Sequence, residues 1–185
     1  PIDGLRGPKT DAAVVAFKRS VGLRPRPYIG PLTIAALMTR SSEGQERAPW
    51  MAEAASIRGL HEARHTSHLR QWFDTSVSWI DPREVAWCGA FVATCHRKAW
   101  PGIELPKNPL GARNWQSWGQ EVKPILGATL VLWRGSKASW KGHVGFYHAE
   151  DSTHSHVLGG NQGNAVRVTR IAKGHLLSAR RPAGR

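Results

Sequence analysis

Trp87-Cys88-Gly89-Ala90-Phe91-Val92-Ala93-Thr94-Cys95-His96-Arg97-Lys98-Ala99-Trp100 is the stretch whose reading decides the fold. Cys88, Ala90, Phe91, Val92, Cys95 and Ala99 make a broad apolar face at helical spacing, and Pro101-Gly102 ends the run. So apolar a helix must be buried, and the chain downstream supplies something to bury it against. After Gly127 the period shortens. Thr129-Leu130-Val131-Leu132-Trp133, His143 to His148, Ser155-His156-Val157-Leu158 and Ala165 to Ile171 read as four strands separated by Gly- and Ser-bearing turns. Helices followed by an antiparallel meander predict an α+β domain.

Upstream, Pro49 opens another helix with Trp50, Met51, Ala54 and Ile57 on one side and Gly59 as its stop. Between the long helix and the strands, residues 101–127 are rich in Pro, Gly, Asn and Trp. They read as loop with one helix around Ala112 to Trp118. The first 40 residues are organised differently, around an internal repeat. Gly7-Pro8-Lys9-Thr10 recurs as Gly30-Pro31-Leu32-Thr33, each with Gly at an N-cap and Pro at the first helical position. Ala13, Val14 and Phe17 in one copy, and Ile34, Leu37 and Met38 in the other, then fall at helical spacing. Arg24-Pro25-Arg26-Pro27 between them cannot be regular helix. The expected organisation is a small all-α module at 1–40, a polar linker at 41–47 (Ser-Ser-Glu-Gly-Gln-Glu-Arg) and an α+β domain at 48–185.

Composition narrows the classes of partner. The 185 residues carry 26 Lys and Arg against 13 Asp and Glu, a net charge of +13 that suits an anionic partner. The basic residues are spread along the chain rather than gathered in a stripe, which argues against nucleic acid. No run of eighteen apolar residues suggests a membrane span. Pro1-Ile2-Asp3-Gly4 has neither the charged start nor the apolar stretch of a signal peptide, so the release route is not written in the sequence. Nine Trp suggest a mixture of core packing and sugar-stacking surfaces. Cys88 and Cys95 are two helical turns apart, about 10 Å at 1.5 Å per residue, beyond the reach of a disulfide.

Three residues are candidates for chemistry. Cys88 opens a helix, where free amide donors favour a thiolate and offer an oxyanion site. A buried small apolar residue is the other reading of that position, and the one that fits Cys95. A thiol nucleophile needs a base. His143 begins an apolar strand between Gly142 and Gly145, whereas most of the other histidines sit in polar surroundings. Asn161 in Gly159-Gly160-Asn161-Gln162-Gly163 is placed to orient an imidazole, and equally suits a turn. A competing pattern is His61-Glu62-Ala63-Arg64-His65, the H-E-x-x-H of zinc peptidases, with His68 as a third ligand. It follows the helix stop at Gly59 and is polar rather than apolar.

Two resemblances tie these pieces together. Asp3-Gly4-Leu5-Arg6-Gly7-Pro8-Lys9-Thr10, Phe17, and Gly22-Leu23 to Gly30-Pro31-Leu32-Thr33-Ile34-Ala35-Ala36-Leu37 resemble the small helical peptidoglycan-binding domain of cell-wall hydrolases. That domain normally has one more helix ahead of this point. The resemblance implies wall-binding residues among Asp3, Gly7, Thr10, Tyr28, Gly30 and Thr33. Pro49-Trp50-Met51, Gly59-Leu60-His61-Glu62, Ala86-Trp87-Cys88-Gly89-Ala90-Phe91-Val92, Gly127-Ala128-Thr129, Gly142-His143-Val144-Gly145-Phe146 and Leu158-Gly159-Gly160-Asn161-Gln162 resemble the CHAP and NlpC-type cysteine hydrolases. That resemblance implies a papain-like fold with Cys88 as nucleophile, His143 as base, Asn161 as orienting group, and Trp87, Gly89 and Gln162 lining the oxyanion site and substrate cleft. Many CHAP domains carry Glu two residues before that Asn. Gly159 stands there in this chain, with Gln162 or Asp151 as substitutes. The activity implied is endolysin-like hydrolysis of a peptidoglycan amide, as an N-acetylmuramoyl-L-alanine amidase or a peptide endopeptidase. The expected protein is a monomer without metal or cofactor, acting at the bacterial cell wall. The alternative functions are a non-catalytic cell-wall-binding protein and a zinc metallopeptidase using His61 and His65.

Overall fold

The structure, a computed structural model, describes residues 6–183, and over 41–47 the backbone alone. The chain divides into two compact units, Pro1–Arg47 and Ala48–Arg185.

The first unit holds α1 (Pro8–Ser20) and α2 (Pro31–Arg47). Both copies of the repeat start a helix in the same way. The amide of Asp11 donates to the carbonyl of Gly7, and that of Ile34 to Gly30, each at 3.0 Å. The segment 41–47, expected as a linker, is the end of α2. Its Ser, Glu, Gln and Arg are all tolerated in a helix, and Gly44 costs only about 1 kcal/mol against Ala, too little to stop a helix already propagating. Asp3 lies outside the described residues.

The second unit is α+β. Its six-stranded antiparallel sheet has the order β1-β6-β2-β3-β4-β5. The strands are β1 (Gln120–Glu121), β2 (Thr129–Trp133), β3 (Gly142–Glu150), β4 (His154–Gly159), β5 (Arg167–Ala172) and β6 (Leu176–Arg181). The helices are α3 (Trp50–Ser56), α4 (Thr66–Trp72) and α5 (Cys88–Ala99), with a 3-10 turn at Ala112–Ser117 where the sequence suggested a short helix. Strand alternation splits the apolar residues between the two faces. Val131, Val144, Phe146 and Leu158 join the helices in the main core. Leu130, Leu132, Val157 and Ala179 form a smaller cluster of their own.

Helix α5 is the axis of that main core. Every residue from Cys88 to His96 is buried. Phe91 lies between Trp72 (centroids 5.9 Å) and Phe146 (5.8 Å). His96 sits fully buried among Trp50, Trp115, Trp118 and Phe146, with its Nε2 2.9 Å from the Thr129 hydroxyl. Burial in that aromatic cage pushes its pKa down to about 3, so the ring is neutral. The Trp residues divide between core and surface. Trp50, Trp87 and Trp115 are buried completely, whereas Trp79 and Trp140 stand out in solvent.

Candidate active site

The site assembles where the head of α5 meets the start of β3 and the end of β4. The first turn of α5 is packed tightly on two sides. A Cβ on Gly89 would collide with the carbonyl oxygen of Pro109, so glycine alone lets that loop close over the helix end. A Cβ on Gly160 would come within 2.5 Å of the Trp87 ring and 2.7 Å of Phe91 Cβ, so the end of β4 presses directly on the helix start. The Trp87 indole N–H donates to the Glu62 carboxylate at 2.9 Å, which fixes the residue preceding Cys88.

Cys88 is the first helical residue and is 5% exposed. Its sulfur lies within reach of the backbone N–H groups of Val144, Gly89 and its own residue. The Val144 amide that acts on the thiol belongs to β3, the strand that carries His143. Burial pushes the thiol pKa up, while those N–H groups and the charge of Arg134 pull it down, with burial the stronger. Cys95, two turns deeper and fully buried, is raised further by desolvation and is a core residue.

His143 lies on β3 opposite Leu132 of β2 and is 6% exposed. Its Nε2 is 3.1 Å from Gln162 Oε1. The Gln162 amide has a single possible orientation. Its Nε2 donates among the carbonyls of Val157 (3.0 Å), Gly159 (3.3 Å) and Arg167, so its oxygen must face the ring. An oxygen there accepts a hydrogen bond, so His143 carries hydrogen on Nε2, donates it to that oxygen and keeps the Nδ1 lone pair free. Burial lowers the His143 pKa to about 4, opposed by the Gln162 hydrogen bond and helped by Arg134. At neutral pH the ring is the neutral species that can accept a proton.

This arrangement corrects the expected orienting group. Asn161 does not hold the ring; it supplies a left-handed turn residue (φ 54°), a conformation Asn adopts more readily than Gln. Gln162, expected in the oxyanion site, is the ring's partner. A Cβ at Gly159 would sit 3.2–3.3 Å from the Gln162 amide and from His143 Nε2. Gln162 thus fills, from three residues along, the space into which a side chain at 159 would point. Asp151, the other substitute, belongs to the far β3–β4 turn, where it accepts from Thr153 and Arg170 and meets His156 at 3.0 Å. Those hydrogen bonds hold its carboxyl well below the usual range. Gln162 was readable as a polar side chain beside the turn Asn, and spacing alone could not separate the neighbours. Arg134 carried no signal for its place near the site, and Glu62 stood out only through the two motifs that contain it, not as the partner of Trp87.

The H-E-x-x-H segment is a turn that precedes α4, not a continuous helix. His65 Nδ1 accepts from the His61 amide (3.0 Å), His61 Nδ1 accepts from the Ala63 amide (3.1 Å), and Glu62 is engaged with Trp87. Among the described residues no group of three or more His, Cys, Asp or Glu is arranged to hold a metal.

Of the expected wall-binding residues, Tyr28, Gly30 and Thr33 line a cavity of about 190 Å³ with Lys18, whose ammonium lies 5.8 Å from the Tyr28 ring centre. Gly7 caps α1, and Thr10 stands exposed on its first turn.

No family model matches the chain. No solved structure matches it. A curated relative from Kitasatospora aureofaciens, described as "Uncharacterized protein in bpoA1 3'region", is 51% identical over 43 residues, or 23% of this chain and 36% of the relative. The chain therefore spans little more than a third of that relative's length.

Proposed function

We propose that the protein is a cysteine hydrolase of papain-like design that cleaves an amide bond of bacterial peptidoglycan. One observation carries the chemistry. The Gln162 amide, oriented by three carbonyls, holds His143 by Nε2–H and leaves Nδ1 free, and the Cys88 thiol at the head of α5 lies against the neighbouring Val144 amide. The steps follow from these positions. Nδ1 of His143 takes the thiol proton as Sγ attacks the amide carbon. The tetrahedral oxyanion forms beside the N–H groups of the first turn of α5. Nδ1–H then protonates the leaving amine, and a water activated by the same nitrogen hydrolyses the thioester.

The choice of substrate rests on the two resemblances in sequence and on the charge of +13, suited to an anionic envelope. The first unit would hold the protein on the wall and raise the local concentration of substrate. Within this reading the glycan–peptide amide and a peptide cross-link are both open bonds, and mass spectrometry of digested sacculi distinguishes them. The test of the mechanism is Cys88→Ala. Lysis of purified sacculi is lost with the fold intact, while Cys95→Ala lyses normally; full lysis by Cys88→Ala overturns the mechanism. The 5% exposure of Cys88 and its raised pKa favour a second reading, a non-catalytic wall-binding protein. Sacculi that bind the protein and release no fragments would establish it.

A further inference from the structure

We infer that the cavity beside His143 receives a carboxylate of the substrate, held between Arg134 and Arg167. The cavity measures about 190 Å³, and Arg134, Arg167 and His143 all line it. Leu132, Trp133 and Ile171 give it apolar walls, and no acidic residue contributes to its lining. Neither arginine forms an ion pair with any described residue. Two exposed arginines bordering a small, partly apolar space without a counter-charge are an open site for a planar anion.

The two arginines are presented from fixed backbone. Arg134 follows β2, and its amide donates to the Lys141 carbonyl at 3.3 Å. The loop between β2 and β3 is tied down by Arg113, which donates to the carbonyls of Lys137 (3.1 Å), Ser139 (2.5 Å) and Lys141 (3.2 Å). The Arg167 guanidinium lies against Gly163, in the space a side chain there would need. A carboxylate fits better than a bulkier phosphodiester because the walls are apolar and close. Its biological meaning rests on the amide hydrolysis proposed above, since the peptide stems of peptidoglycan carry free carboxylates.

The test need not involve turnover. Iodoacetate and iodoacetamide alkylate a thiol by the same displacement, in which the C–S bond forms and iodide leaves. They differ in one carboxylate. The ratio of their rates cancels the thiolate fraction, which Arg134 also affects. In the full-length protein, with Cys88→Ala as the blank for Cys95, iodoacetate should gain about tenfold relative to iodoacetamide when compared with free cysteine. Arg134→Gln with Arg167→Gln should return the ratio to that of free cysteine. A free-cysteine ratio in the unmodified protein overturns the inference, as does protection of Cys88 by inorganic phosphate as effective as that by acetate. If neither reagent reaches the thiol, acetate titration read at the His143 ring resonances decides the same question. Saturable shifts lost in the double variant support the site, and their absence refutes it. Lysis by Cys88→Ala would remove the proposed function and leave this result standing or falling by itself.

Discussion

The two units bury their residues in opposite ways. Among the described residues of Pro1–Arg47, no apolar side chain is buried; the interior positions are Lys18, Gly30 and Thr33, and Leu32 and Met38 are 74% and 66% exposed. In Ala48–Arg185 the aromatic and aliphatic side chains close around α5. A repeat such as Gly-Pro-x-Thr specifies where a helix starts, but two helices offer too little surface to exclude water from one another. A helix laid on a sheet does exclude it, and there the His143 ring and the Gln162 amide are held at hydrogen-bond distance. The candidate site is a product of the core, as Gly160 against Trp87 and Gly89 against Pro109 illustrate.

The largest expected effect breaks that core directly. Phe91→Ala should cost the second unit about 3–5 kcal/mol, because a buried ring between Trp72 and Phe146 is lost and its cavity cannot collapse. Chemical denaturation followed by tryptophan fluorescence measures it. A loss below about 1 kcal/mol would mean that the aromatic core is not close-packed.

Acid sharpens the contrast next, since all nine histidines lie beyond residue 60. His96 and His143 are buried as neutral rings, with pKa values lowered from 6.5 to about 3 and about 4. A lowered pKa means that the unfolded chain binds the proton first. The stability they contribute is complete above pH 6.5 and is lost as pH falls from there towards 4 and 3. At about 1.4 kcal/mol per pH unit, His96 alone accounts for roughly 3 kcal/mol between pH 7 and pH 4. His96→Gln, neutral throughout, should lose that much less than the unmodified protein over the same interval, read from urea midpoints at the two pH values. Identical losses would show that His96 is already protonated in the fold. The same lowering at His143 predicts that lysis holds down to about pH 4 rather than failing near 6.5.

The site itself provides the third contrast. Gln162→Leu should reduce turnover about 100-fold with little change in KM, because a ring released from its partner misplaces Nδ1. Asn161→Gly, which keeps the left-handed turn, should change turnover less than threefold, roughly the scale of a conserved geometry. If the Asn161 variant lost activity and the Gln162 variant kept it, the orienting role would return to Asn161.

How much of this could be read from sequence depends on how each element is buried. Helix α5 was legible because its apolar face is nearly all round, and β2 because Thr129–Trp133 is an unbroken β-rich run. Helix α4 was not, since Thr66, Ser67, His68, Arg70 and Gln71 are polar and only Leu69 and Trp72 reach the core. Strand β6 was hidden by Arg180 and Arg181, and β1 by having two residues. Cys88 and His143 stood out because each begins an apolar element. The choice between Asn161 and Gln162 was invisible because it turns on one residue's φ and on three carbonyls contributed by β4 and β5.

The smallest effects belong to the first unit, and they test the comparison from the other side. Leu32→Ala and Met38→Ala remove side chains that are mostly in solvent, so each should change its stability by less than about 0.5 kcal/mol. Thr33→Ala should cost more than either. Thr33 is 2% exposed on the helix start that the repeat specifies, and it borders the cavity shared by Lys18 and Tyr28. Circular dichroism melts of the isolated segment and of the full chain give both numbers. A cost above about 2 kcal/mol for Leu32→Ala in the full chain, absent in the segment, would mean that this apolar face is covered in solution. The contrast between a unit with a core and a unit without one would then be a property of the parts, not of the protein.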